Sequence, residues 1–185
     1  MAQDVLFKVV KPPAACKCSF SGRKDHHDNP EFSGKDYQVA VMFEDLSESF
    51  VDERNQVTGF KQHPLKVIKY LDIDTPFFKE CLLNRYTIPE MSFHFFHNDG
   101  KESYPVNYFT IIMKDVKIIR STVSHHDTSI PHKPNEHVSN PNKDRSHLEE
   151  LLLTASDITW KYKRNTEPRK EEKATQMKIG TPTGL

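Results

Sequence analysis

The sequence predicts a mainly β fold, a compact barrel of antiparallel strands with one flanking α-helix. Three observations carry that prediction. Several short runs rich in β-branched and aromatic residues alternate between apolar and polar positions. Clusters of Gly, Pro, Asn and Asp separate them. The clearest helix signal is short and sits near residue 75. Many short strands around one short helix suit a closed sheet better than an α/β alternation.

The first strand is expected at Val5–Val10, ending at Pro12 and Pro13. Residues 19–36 are polar and turn-rich, hence a loop, and Tyr37–Phe43 reads as the second strand. Residues 44–63 carry mixed charge with Phe50 and Val57 as isolated apolar points, which predicts an extended hairpin or loop. Leu65–Leu71 supplies the third strand. Within Asp72–Arg85, Thr75 is the expected N-cap and Pro76 the first helical residue, where its missing N–H costs nothing. Phe77, Phe78, Cys81 and Leu82 form the apolar stripe, and Asn84 is expected to close the helix in a left-handed conformation. So short a helix must dock on an apolar surface to persist.

Alternation returns at Met91–Phe96, and Asn98, Asp99 and Gly100 make a hairpin turn. Tyr104–Met113 follows, separated by Lys114 and Asp115 from another strand at Val116–Val123. Residues 124–147 are rich in His, Pro and Asn and form a long excursion. Leu148–Leu153 and Asp157–Lys163 then give a last strand or bulged strand pair, with Ile158, Trp160 and Tyr162 on one face. The domain therefore spans 1–163, with polar loops at 19–36, 44–63 and 124–147. Residues 164–185 are charged and Pro/Gly-dotted, and a mobile tail is expected there.

Composition narrows the function. Lys plus Arg and Asp plus Glu both number 26, so the chain lacks the basic excess of a nucleic-acid binder or of a protein that seeks anionic membranes. No apolar run reaches the ~18 residues of a spanning helix, so no membrane insertion is expected. The beginning MAQDVLFKVVKPP has no basic region and too short an apolar run for a secretory signal. Synthesis and residence in the cytoplasm are expected unless a signal-independent machine exports the protein. Three cysteines, Cys16, Cys18 and Cys81, argue for free thiols rather than a disulfide framework, with Cys81 acting as a small apolar residue.

Candidate chemistry is sparse. Cys16, Cys18, His26 and His27 could offer a zinc set, but the spacing is not a common structural one. His125, His126, His132, His137 and His147 could bind metal or titrate near neutrality, although a solvated loop explains them as well. Asp72 and Asp74 suit the start of a helix, where the macrodipole favours carboxylates. Phe93, Phe95 and Phe96, with His94 and His97, read as core or subunit contact rather than a base-stacking platform. Trp160 and Tyr162 read as packing residues with polar tips at an edge. Hydrolase, P-loop, zincin and dinucleotide fingerprints are all missing, so no catalytic residue, cofactor or metal is assigned.

Over residues 58–163 an ordered series of motifs resembles Hcp, the haemolysin-coregulated protein family of type VI secretion. It runs from Thr58 and Gly59 with His63 and Pro64, through Lys69, Tyr70, Leu71 and Asp72, to Thr75, Pro76, Phe77 and Phe78. Asp99 and Gly100 follow at the hairpin, then Lys114 to Ile119, His147, Leu148, Glu149 and Glu150, and finally Ile158, Thr159, Trp160, Lys161 and Tyr162. The resemblance implies a barrel like that of phage tail-tube proteins and family-motif residues His63, Pro64, Asp72, Thr75, Pro76, Gly100, His147, Glu149, Trp160 and Tyr162. It also implies a homohexameric ring, stacked into a tube that a contractile sheath propels with a spike protein. Secreted effectors carried in the lumen, and export without a signal peptide, come with it. The alternative from the residues themselves is a monomeric barrel that binds metal or ligand through its Cys and His loops, and a hydrolytic effector ranks last.

Overall fold

In the computed structural model, the residues described are 5–22, 28–33, 35–98, 103–125, 147–163 and 175–178. Six strands close a barrel. They are β1 (Val5–Lys11), β2 (Gln38–Glu44), β5 (Leu65–Tyr70), β6 (Ile88–His97), β7 (Val106–His125) and β8 (His147–Thr154). The order β7-β6-β1-β2-β5-β8 returns to β7, and all pairings are antiparallel. Between β2 and β5 the chain makes a separate hairpin of β3 (Ser47–Val51) and β4 (Val57–Gln62). Thus 44–63 is an extended hairpin, as its scattered apolar residues suggested.

β7 departs from the sequence reading. The runs read at Tyr104–Met113 and Val116–Val123 are, from Val106 onward, one 20-residue strand and not two. Asp115 takes φ 51 without ending the strand, because neighbouring strands hold the ladder on either side of it. Along one edge, β9 (Asp157–Tyr162) pairs with Phe109–Lys114 and β8 pairs from Lys117 onward. At the handover Ser156 donates its N–H to the Lys114 carbonyl and its hydroxyl to Asp115 Oδ2 at 2.8 Å. β8 and β9, expected as a last strand or a bulged pair, are thus two successive strands that share one edge of β7 and do not pair with each other. Of residues 164–185, expected to be a mobile tail, Thr175–Lys178 form β10 against β9; the rest lies outside the described residues.

Inward-facing positions fill the barrel with Phe7, Val9, Leu65, Val67, Met91, Phe93, Ile111, Met113, Leu151 and Leu153. The period of two is strict enough that Leu65, Val67 and Lys69 alternate buried with their half-exposed neighbours. The helix α1 (Thr75–Leu83) adds Phe77, Phe78 and Cys81 to this core. Lys79 Nζ reaches the Ser121 carbonyl at 3.0 Å, tying the helix to the second half of β7.

Two helix-end expectations are corrected. The N-cap is Asp74, not Thr75, and its side chain does not cap the helix. Its buried carboxylate instead accepts the N–H groups of Ser21 and Gly22 and the amide of Gln38. Asn84 keeps φ −91, and Arg85, at φ 56, takes the left-handed position. Asn84 uses its amide to reach the Glu80 carbonyl at 3.1 Å, which satisfies an open helical acceptor without a left-handed turn.

A second apolar cluster lies on the outer side of the sheet, where Leu6, Phe32, Tyr37 and Phe96 pack together. Part of the supposed loop 19–36 thus folds down as a cover. Beneath it, His94 contacts the rings of Phe32 and Tyr37. Its Nδ1 accepts from Asn107 at 3.2 Å and Thr110 at 3.3 Å, which leaves the proton on Nε2 for Ser92 Oγ at 3.0 Å. Burial first, then the positive charges of Lys8 and Lys163, lowers its pKa to about 4. A histidine neutral when folded but free to protonate when unfolded lowers stability as pH falls. The loss should begin near pH ~6.5, level off near pH 4, and total roughly 3 kcal/mol. Urea unfolding at neutral pH and at about pH 5 measures it, and His94→Gln should flatten that limb. An unchanged acid limb in the variant would refute the assignment.

Candidate functional site

Two arrangements stand out, a buried polar lock and an exposed apolar arm. The lock grows from three separate stretches of chain. β5 carries Lys69, the turn into α1 carries Asp72 and Thr75, and β8 carries Glu149. Lys69 and Glu149 are neighbours in register, and both side chains are fully buried. Lys69 Nζ lies 2.7 Å from Asp72 Oδ1, 3.2 Å from Glu149 Oε2 and 2.9 Å from the Tyr70 carbonyl. Thr75 donates its hydroxyl to Glu149 Oε2 at 2.8 Å, and Ser121 of β7 donates to Glu149 Oε1 at 2.7 Å. Every charge therefore meets an opposite charge or a dipole, as burial requires.

This explains three of the motif residues. Asp72, Thr75 and Glu149 meet at one point, and Thr75 serves this network rather than capping the helix. Lys69 and Ser121 complete it. Lys69 is a member of the motif series without an assigned role, and Ser121 lies outside that series. A lysine at the inward parity of a strand was the available signal for Lys69; Ser121 offered none.

The other motif residues serve elsewhere. His63 closes the base of the β3–β4 hairpin, where its N–H donates to the Leu46 carbonyl at 2.9 Å. Its Nε2 lies 2.7 Å from Glu48 Oε2, and that bond holds the Glu48 carboxyl below the usual range. Pro64 is exposed at the turn into β5, and Pro76 occupies the first turn of α1. Trp160 packs against the core and donates Nε1–H to Asp45 Oδ2 at 3.1 Å, linking β9 to the corner before the hairpin. Tyr162 is mostly exposed, with its ring edge-on to Tyr108. His147 begins β8 and accepts the Leu71 N–H through its carbonyl at 3.1 Å. Gly100 lies outside the described residues.

The arm is β3–β4 itself. Its residues face solvent on both sides, with Phe50, Val51 and Val57 exposed to 50%, 59% and 69%. Leu46 and Phe60 extend the same apolar surface. A two-stranded hairpin gains little alone, so this one presents apolar area that only another surface can cover. Further apolar residues are exposed beside α1, at Ile73 and Leu83, and on the barrel wall, at Val41, Met42, Ile119 and Val123.

Among the described residues, no three or more His, Cys, Asp or Glu are grouped to hold a metal ion. His26, His27, His126, His132 and His137 lie outside the described residues. Cys16 and Cys18 turn instead toward Glu80 of α1, and Cys16 also meets Cys81. No described helix is long and apolar enough to cross a membrane.

A family model described as "Type VI secretion system effector, Hcp" matches residues 24–162. Solved structures agree in fold. One titled "Crystal structure of Hcp protein" is 13% identical, with a TM-score of 0.71, over 97% of this chain and 99% of that one. The Hcp1 protein of E. coli EAEC 042, as a double mutant, is 17% identical at a TM-score of 0.64, covering 96% and 99%. "Secreted protein Hcp3 from Pseudomonas aeruginosa" is 12% identical at 0.64, covering 97% and 100%. No curated protein gives a significant match to the chain.

Proposed function

The chain belongs to the Hcp family of type VI secretion and is a tube protein of that system, and from this premise we propose that it works as a ring-forming subunit. Copies join head to tail into a homohexamer, and rings stack into the inner tube. The single observation that carries the reading is the apolar arm: β3–β4 exposes Phe50, Val51 and Val57, which no described residue of the same chain covers enough to bury. A projecting arm and apolar wall patches on one chain make a heterologous contact, which closes into a ring when its rotation divides a full turn. Balanced charge lets the faces of stacked rings approach without large repulsion. The role is structural, and the spike protein, contractile sheath and effectors carried in the lumen are the expected partners. Export through the secretion machine itself then delivers the subunit outside the cell.

Native mass spectrometry and negative-stain imaging test this. Hexameric rings are expected at micromolar concentration, and Phe50→Ser combined with Val57→Ser should shift them toward monomer. Both sites are solvent-exposed in the subunit, so its melting temperature should hold within a few degrees, roughly the effect of ±0.5 kcal/mol. A strict monomer at high concentration would overturn the proposal. Stoichiometric Zn²⁺ in untagged protein would favour the metal-binding alternative.

A further inference from the structure

The connector between β1 and β2 carries two cysteines onto the third. Cys16 Sγ lies 4.0 Å from Cys81 Sγ, although 65 positions separate them. Cys81 is buried on the core side of α1, whereas Cys16 and Cys18 are partly exposed. Helix α1 holds the connector in place at two points. The Glu80 carboxylate accepts the N–H of Lys17 at 2.9 Å, the N–H of Cys18 at 2.7 Å and the Cys16 thiol at 3.3 Å. Asp74 accepts the N–H groups of Ser21 and Gly22 at 2.7 and 3.0 Å. Phe20 packs between these anchors, edge-on to Phe77 and Phe78. Gly22 fits because it takes φ +60 and passes so close to Asp36 that a Cβ would sit 2.4 Å from its carbonyl carbon. The strap is thus fixed in register with the helix, and its sulfur faces the helix's sulfur.

We propose that Cys16 and Cys81 form a disulfide when the protein meets an oxidising solution, turning a hydrogen-bonded strap into a covalent one. The sulfurs must close from 4.0 Å to about 2.05 Å, within reach of side-chain rotation. The oxidant is a low-molecular-weight disulfide. The accessible Cys16, as thiolate, attacks one of its sulfurs, giving a mixed disulfide and releasing one small thiol. Cys81, as thiolate, then attacks Cys16 Sγ and displaces the second small thiol. The two cysteine protons end on the two released thiols by way of water, so two cysteine thiols are oxidised and one small disulfide is reduced. Cys18 is expected to remain outside the exchange because, among the described residues, the sulfur within 4.0 Å of Cys16 Sγ is that of Cys81.

The surroundings set the pace. Burial, with the Glu80 carboxylate beside it, raises the Cys16 pKa, and burial pushes Cys81 up to about 12. Little thiolate forms near neutral pH, so exchange is slow and speeds up as pH rises. The pair stays reduced in a reducing compartment and closes after prolonged exposure outside it. The chemistry of the pair is independent of ring formation.

Glutathione disulfide provides the test. Reduced full-length protein is equilibrated with it at mildly alkaline pH, and free thiols are then alkylated and mapped. The expected result is a mass lower by about 2 Da before alkylation, then a peptide linking Cys16 to Cys81 and Cys18 alkylated. The melting temperature should rise by about 10 °C and fall back on reduction. Cys18→Ser should keep the link and the shift, and Cys16→Ser should lose both. Three alkylated thiols after equilibration, a lasting glutathione adduct on Cys16, or a bond that involves Cys18 would each overturn the proposal. Ring imaging reads a different property, so failure here and failure of the assembly reading are separable.

Discussion

Lys69→Met is expected to cost about 3–5 kcal/mol of stability, because it leaves the Glu149 carboxylate buried without its counter-charge. Both side chains are fully buried, so water cannot replace the missing ammonium. Thr75 and Ser121 still donate to Glu149, but two neutral hydrogen bonds do not offset a desolvated charge. Native stabilities run to about 5–15 kcal/mol, so this single change takes a large share. The double variant Lys69→Met with Glu149→Leu should recover much of the loss, since it removes both fully buried charges and leaves Asp72, which is partly exposed and still accepts the Asp74 N–H. Equilibrium urea unfolding of the three proteins checks this. A single variant within about 1 kcal/mol of wild type would show that the lock carries no such stake.

Phe78→Ala should be nearly as damaging, at about 3–5 kcal/mol, through lost contact area and the cavity left behind. Its ring is fully buried and joins three elements. Phe7 of β1 lies 6.3 Å away, Phe20 of the connector 6.0 Å and Phe77 of α1 5.3 Å, centroid to centroid. Lys69 Nζ sits 5.5 Å over its face, which couples the apolar core to the polar lock. A chain of this size should lose roughly 10 °C in melting temperature. Hydrogen exchange should also quicken first in α1 and residues 12–22, which meet the barrel through this ring. Uniform loosening across all strands would contradict that local role.

The candidate site was legible in uneven measure. The motif series marked Asp72, Thr75 and Glu149, and the structure brings these three together. The same series contained Lys69 without showing its role, because lysine is an ordinary surface residue by type and only its inward parity on β5 buries it. The helix start was read from Thr75 and Pro76, and Pro76 does occupy the first turn. Local propensity favoured Thr75 as the cap, yet Glu149 captured that hydroxyl, so a contact 74 positions away overrode the local rule. Cys16 and Cys18 suggested ligands beside His26 and His27 along the chain, whereas folding set them against Glu80 and Cys81 of α1.

What the sequence by itself determined was local and periodic. Alternating apolar residues located the strands, Pro76 and the Phe77–Phe78 pair located the helix, and the order of motifs located the family. Only the tertiary structure decided which strands are neighbours, that β7 runs unbroken through Asp115, and that part of 19–36 covers His94. The reason is physical. Periodicity is written in residues a few positions apart, whereas closure of the barrel and pairing of buried charges depend on register between distant segments. That register is fixed only when every strand fills the same interior at once.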